Sequence, residues 1–420
     1  MLMNEEQNPP EPDQAPDQPV PPTEKPAKPK KTKSKKKKVL LILLVLLIVA
    51  GLLAVAAFVW PGFMKDSKEA APATSSSTAP AETKTEPKVL TPVNVVYAFS
   101  ESAKNVHNLY WRPVAGGDRT QAGQLGGKSI ITQSGVYEQK VFVVTETSDS
   151  TLNMWYSSDN GKSYSLIYES KDGNADALGN QITSAMFSKD GSKIIFGYLQ
   201  DGLGKNTAKE IDPATKAVKD LFSIDKDGLY LKGYDSSTRT AYYYTGCYNC
   251  GGGGLDSLYA RDIAKNKETT VFQENTRAVY ATVFNGDYSK ILVVKAASAE
   301  PGEEPAPYSV DEYTISSKAT KSLVADLKDY TYAGYSSDGL TPYYSDGNNV
   351  YTVPASDAKS LVFQASKPIV GVSYVNKDLV VASSGTAADN ILTSYNIATK
   401  AATTILSGDN DTRVIGVTQQ

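Results

Sequence analysis

The chain has 420 residues, 43 Lys and Arg against 46 Asp and Glu, a net charge of −3, two cysteines and one histidine. One imidazole and two thiols are too few for a histidine-rich or four-ligand metal centre, and no metal or cofactor site is expected. With the nine lysines and six acids of the first 38 residues set aside, 34 basic and 40 acidic residues remain, which is no electrostatic footprint for nucleic acid.

Residues 1–38 are Pro, Glu, Gln and Lys with almost nothing apolar. They cannot bury enough surface to offset chain entropy, so a disordered basic tail is expected. Residues 39–60, VLLILLVLLIVAGLLAVAAFVW, carry no charge and as a helix reach about 33 Å, enough to span a bilayer. The lysine run ahead of them, against the balanced Lys65, Asp66, Lys68 and Glu69 behind, places the N-terminus in the cytoplasm and the rest outside the cell. A cleaved signal peptide is the alternative, since Ala54-Val55-Ala56 is a small-x-small site. Residues 61–92, with APATSSSTAPAETKTEP, have the composition of a disordered extracellular stalk.

Residues 93–420 repeat themselves. "EIDPATKAVKDLF" from Glu210, "ARDIAKNKETTVF" from Ala260, "YTISSKATKSLV" from Tyr313 and "YNIATKAATTIL" from Tyr395 each read strand, tight turn, strand. Ahead of them come "ITSAMFSKDGSKIIFGY" at Ile182, "AVYATVFNGDYSKILVV" at Ala278 and "IVGVSYVNKDLVVAS" at Ile369, again two strands about a turn. Two hairpins per repeat is the pattern of a propeller blade with strands a, b, c and d. Six complete blades are expected at 128–175, 181–225, 229–275, 277–327, 330–366 and 367–408. Residues 93–125 and the C-terminal TRVIGVTQQ supply the strands of a seventh. The expectation is an all-β, seven-bladed β-propeller ectodomain closed by N- and C-terminal strands, preceded by one transmembrane helix. The blade phrases, "FSKDG" at Phe187 among them, resemble the WD40-like, TolB-type propellers. The resemblance implies the fold and, since those propellers act through protein contacts, an envelope protein or peptide as partner, with surface polysaccharide second.

"SSDNGKSY" matches the Asp-box turn of sialidase-like and sortilin-like propellers through Ser157, Asp159, Gly161, Ser163 and Tyr164. In those families the box is structural. "AGQLGGKS" at Ala122–Ser129 fits a relaxed phosphate-loop pattern, but strand-like sequence follows where a helix is required. No G-x-S-x-G accompanies His107, which falls in a loop of the first blade. No catalytic residue is assigned. A glycoside-directed, sialidase-like hydrolase would need an arginine cluster, for which Arg277 and Arg413 are the available pair. The 26 tyrosines suit half-wet sheet faces or a stacking surface.

The a–b and c–d turns are short, whereas the b–c loops are long. Length beyond what closes a hairpin marks a candidate binding face, with tolerated extracellular loops as the plainer account. Its candidate residues are His107, Asp201, Tyr248, Asn249, Glu300, Glu303 and Glu304. Cys247 and Cys250, three apart ahead of four glycines, lack the helix of a redox motif and a second pair for metal. Outside the cell a disulfide is expected. A thiol-redox role for this loop stays open as the rival, beside the hydrolase. The sequence thus points to a membrane-anchored propeller that binds or scaffolds.

Overall fold

The computed structural model describes residues 91–101, 106–125, 129–147, 151–170, 181–199, 205–225, 228–245, 257–296, 307–329, 331–353, 358–375, 378–384, 390–407 and 412–420. The tail, the 39–60 span, the stalk to residue 90, Asp201, Cys247, Tyr248, Asn249, Cys250, Glu300, Glu303 and Glu304 lie outside them. Among the described residues no helix is long and apolar enough to cross a membrane.

Every described element is a β-strand. The first sheet holds β1 (Pro92–Glu101), β2 (Val106–Pro113), β3 (Thr120–Gln124), β4 (Ser129–Tyr137), β5 (Lys140–Thr147), β6 (Leu152–Ser157), β7 (Ser165–Ser170) and, from the C-terminus, β28 (Thr412–Gln419). The second is β8 (Gln181–Phe187), β9 (Ile194–Leu199), β10 (Asn206–Ile211) and β11 (Val218–Ile224). The third is β12 (Leu229–Asp235), β13 (Thr240–Thr245), β14 (Ser257–Asp262) and β15 (Lys267–Gln273), and the fourth β16 (Ala278–Phe284), β17 (Lys290–Ala296), β18 (Tyr308–Thr314) and β19 (Ala319–Leu327). The fifth is β20 (Ala333–Tyr335), β21 (Pro342–Asp346), β22 (Asn349–Thr352) and β23 (Ser360–Gln364), and the sixth β24 (Ile369–Val375), β25 (Asp378–Ser384), β26 (Asn390–Asn396) and β27 (Ala401–Ser407).

Six sheets replace the seven blades expected. The reason is local: β2 meets β4 through one parallel pair, Val106↔Ser129, so hydrogen bonding runs unbroken from β28 to β7. His107 reinforces the seam, its Nδ1 accepting the Ile131 N–H at 3.2 Å. It therefore sits in β2 rather than in a loop, and half-buried. β28 pairs antiparallel with β1 from Pro92↔Gln419 to Phe99↔Thr412, as the terminal-strand closure requires.

Burial follows position in the sheet. The second strand β9 (IIFGYL) is buried throughout and reads as a continuous apolar run because both faces are covered. Fourth strands such as β15 and β19 expose their first four residues. The cores lie between neighbouring sheets. Phe142, Val144 and Met154 pack on Phe187, Ile194 and Phe196, each such side chain contributing about 1.5–3 kcal/mol on burial. Tyr97, Tyr234, Tyr243, Tyr244 and Tyr344 are among the largest fully buried side chains, so much of the tyrosine excess builds these interfaces.

The first strands share an irregularity. One residue is left over opposite the second strand at Thr132 in β4, Thr183 in β8, Lys232 in β12, Tyr280 in β16 and Val370 in β24. Ile415 of β28 is skipped likewise opposite β1. An extra residue bends its strand and re-aims a side chain.

Candidate functional site

The first strands β4, β8, β12 and β16, with the turns that follow β4, β8, β16 and β20 and the end of β28, wall a cavity of about 890 Å³. A second, of about 300 Å³, lies among β20, β24 and β28 and shares Val136, Glu138, Ser337 and Gln419 with the first. The larger volume is in the range that small-molecule sites occupy.

Its rim is built from one repeated turn. In "SKDGS", Ser188 Oγ donates to Asp190 Oδ1 at 2.6 Å, the Ser192 N–H donates to the same oxygen, and the Lys193 N–H donates to Ser188 Oγ. In "NGDYS", Asn285 Nδ2 donates to Asp287 Oδ1 and the Lys290 N–H to Asn285 Oδ1. "SSDGL" repeats it with Ser336, Asp338 and the Thr341 N–H. A short polar side chain at the first position closes the turn and Asp at the third caps it, which is why these residue types recur. Burial pushes the carboxyls of Asp190 and Asp287 up, but the hydrogen bonds they accept outweigh it and hold both below the usual range.

The fourth turn position needs a left-handed backbone: Gly191 has φ 63° and Gly339 φ 71°. Tyr288 occupies the same position at φ 61°, a conformation that is an outlier for a bulky side chain. Several contacts hold it there. Its ring lies 4.8 Å from Phe284 and 5.6 Å from Tyr242, its hydroxyl accepts the Tyr234 N–H at 3.3 Å, and Lys189 Nζ stands 5.6 Å from the ring centre. Gly233 makes room, since a Cβ there would come 3.1 Å from the ring. Burial pushes the Tyr288 hydroxyl up to about 12.

The turns also tie the first three sheets together. Lys140 Nζ donates to Gly191 O, the Lys189 N–H donates to Tyr234 O and Ser236 Oγ donates to Asp190 Oδ2, while within the first sheet the Gln419 N–H donates to Glu138 O. The cavity mouth is therefore held by bonds between sheets as well as within them.

The charged residues in the wall are Glu138, Lys189 and Lys232. Lys189 pairs with Asp235 at 3.4 Å, and Glu138 has partners of its own. Lys232, the extra residue of β12, is half-buried and has no ion-pair or hydrogen-bond partner among the described residues. Burial pushes its ammonium pKa down. Thr282 Oγ1, Ser337 Oγ and Gln419 Oε1 are buried without hydrogen-bond partners, and Thr282 is 8 % exposed. Among the described residues no group of three or more His, Cys, Asp or Glu could hold a metal ion.

The residues singled out in the sequence fall elsewhere. Ser157, Asp159, Gly161, Ser163 and Tyr164 form one turn between β6 and β7, Asp159 accepting from Ser157 Oγ, Ser163 Oγ and the N–H groups of Lys162 and Ser163. Burial raises the Asp159 carboxyl, yet these bonds bring it below its ordinary range. The turn docks on β1: Gly161, φ 77°, leaves no room for a Cβ against Val96, and Asn94 Nδ2 donates to Asn160 O. Arg277 donates to Ser309 Oγ and Arg413 to Ile131 O. Ser129 of the glycine-rich stretch opens strand β4 rather than a helix. The cavity residues were missed because no motif joins them; the traces available were Tyr288 where its sister turns carry glycine, and a lysine inside an apolar strand.

No protein-family model matches the sequence, and comparison with curated proteins gives no match. Solved structures do match. The propeller domain of the trilobed protease from Pyrococcus furiosus is 13 % identical with a TM-score of 0.53, covering 77 % of this chain and 99 % of that one. The chain is a β-propeller. A protein from Lactobacillus plantarum is 12 % identical with a TM-score of 0.50, covering 79 % and 100 %. TolB from Acinetobacter baumannii is 13 % identical with a TM-score of 0.46, covering 76 % of this chain, which spans 65 % of TolB. At these identities the propeller likeness is one of fold.

Proposed function

We propose that the protein is a membrane-anchored, extracytoplasmic propeller that binds or scaffolds a cell-envelope protein, peptide or polysaccharide. The observation that carries the binding reading is the cavity of about 890 Å³, whose rim is fixed by the bonded turns and whose wall keeps polar groups unpartnered. A rigid mouth with polar groups in reserve costs little to organise when a ligand arrives. Anchoring rests on the uncharged 39–60 segment and the lysines before it. The long b–c loops of the sequence are a second candidate surface.

The test is capture of envelope components by the full chain in detergent or nanodiscs. Wild type is compared with a Glu300–Pro307 deletion and with Tyr288→Ala, which opens the cavity rim. Loss on Tyr288→Ala alone assigns binding to the cavity, and loss on the deletion alone assigns it to the loops. Retention of nothing by the wild type rejects the reading.

A further inference from the structure

We propose that the central cavity binds the oxyanion group, carboxylate or phosphate, of a small molecule, with the Lys232 ammonium as counter-charge and Thr282, Ser337 and Gln419 as its hydrogen-bonding wall. The proposal rests on the cavity being the propeller's binding site, and it names the chemistry taken there.

The argument begins with cost. An ammonium withdrawn from water is expensive unless a counter-charge or acceptors compensate it. Elsewhere this chain supplies them: Lys295, in the fourth sheet's second strand, sits 2.7 Å from Glu274 and 2.9 Å from Asp311. Lys193, Lys209 and Lys290 each have a carboxylate within 2.9 Å. Lys232 has none among the described residues, although it is half-buried in a cavity wall. The other cavity lysine, Lys189, is engaged by Asp235, so the free positive charge in the wall is Lys232.

The backbone puts it there. Lys232 is the residue β12 carries in excess of β13, between the Leu231↔Tyr243 and Gly233↔Tyr242 pairs. A residue in that position is released from ladder pairing and its side chain is re-aimed. Its neighbour Gly233 is where Tyr288 packs, so the strained tyrosine and the unpaired lysine lie side by side on the wall. Strain held by over-determined packing gathers at functional sites.

The uncharged groups point to the same chemistry. The Thr282 and Ser337 hydroxyls each offer a donor, whereas the unpartnered atom of Gln419 is Oε1, an acceptor suited to a hydroxyl of the ligand such as the protonated oxygen of a phosphate. Thr282, nine-tenths buried with Oγ1 unpartnered, forgoes a bond that an oxygen-rich ligand would supply. A volume of about 890 Å³ is of small-molecule size, which also admits the terminal carboxylate of a peptide or an acidic sugar of a polysaccharide.

The test measures thermal midpoints of the full chain against inorganic phosphate and against malonate, with chloride at matched ionic strength as the reference. A rise with phosphate alone, malonate alone or both supports the proposal and tells which oxyanion is preferred. Lys232→Met should weaken that binding at least tenfold, Lys232→Arg should retain it, and Thr282→Val should weaken it while Thr282→Ser does not. Equal response in wild type and Lys232→Met overturns the proposal. So does the absence of any rise in wild type at about 20 mM of either probe. If wild type responds to neither probe but still captures an envelope partner, this proposal falls and the binding reading stands. If the oxyanion binds but no envelope component is retained, the reading of the partner falls instead.

Discussion

At the scale of single residues, Tyr288 shows how a local cost is met by its surroundings. A left-handed backbone costs a side-chain-bearing residue about 1–2 kcal/mol, and the sister turns avoid it with Gly191 and Gly339. Tyr288→Gly would relieve that strain. It would also empty the space between Phe284, Tyr242 and Gly233, and large-to-small truncations of this kind cost about 3–5 kcal/mol. The packing loss is the greater, so urea unfolding should show Tyr288→Gly less stable by about 1–4 kcal/mol. Tyr288→Phe keeps the ring and loses only the acceptor for the Tyr234 N–H, for about 1 kcal/mol. A more stable glycine variant would mean the ring contributes nothing to packing. The aspartates of these turns were legible as residue types, because Ser-x-Asp and Asn-x-Asp write the turn directly. The exception at Tyr288 is visible only when the three turns are laid over one another.

Elements were read more fully than sites. Strand ends fell within a few residues of the blade limits taken from the repeat, because period-two alternation and Asp-Gly turns are local properties of sequence. The count of sheets was not legible. It turns on one backbone pair, Val106↔Ser129, and on His107 accepting from Ile131, and neither leaves a periodic trace. The third-to-fourth-strand turns permit a separate prediction. Lys216, Lys318 and Lys400 end theirs at φ 60°, 55° and 58°, with Asn266 at 52° in the same place. Glycine there removes a steric penalty but adds unfolded-state entropy, two effects of similar size. Lys318→Gly should therefore be neutral to about 1 kcal/mol stabilising, whereas Lys318→Val should lower the thermal midpoint, being β-branched at positive φ. Equal midpoints for the glycine and valine variants would count against a left-handed turn.

For the whole molecule, acid is the informative variable. Burial raises the Glu274 carboxyl, but Lys295 and Thr276 overcome this and bring it to about 2. Asp159, Asp190, Asp235 and Asp287 are likewise held below the ordinary range despite burial. Carboxyls depressed in the folded state bind fewer protons than the unfolded chain, so their contribution is complete above the unfolded values and is lost as pH falls through the folded ones. Stability should be level near neutrality and fall steeply from about pH 4.5 towards 2. Urea midpoints across that range measure it. Glu274→Gln should start lower and slope less, and an unchanged slope would show that the ion pair with Lys295 does not couple to folding.

The pairing of β28 with β1 also sets an order of events. Thr418 Oγ1 donates to Asn94 O and accepts the Asn94 N–H across 324 positions of sequence. Contacts so distant form late, because the chain between them must first be organised. While the chain is being made, β1 and β2 therefore wait with an open edge until residues 412–420 have emerged. The sheets between can assemble one after another, but the ring shuts only from its last strand, and until then β1 is the place where a second copy could intrude.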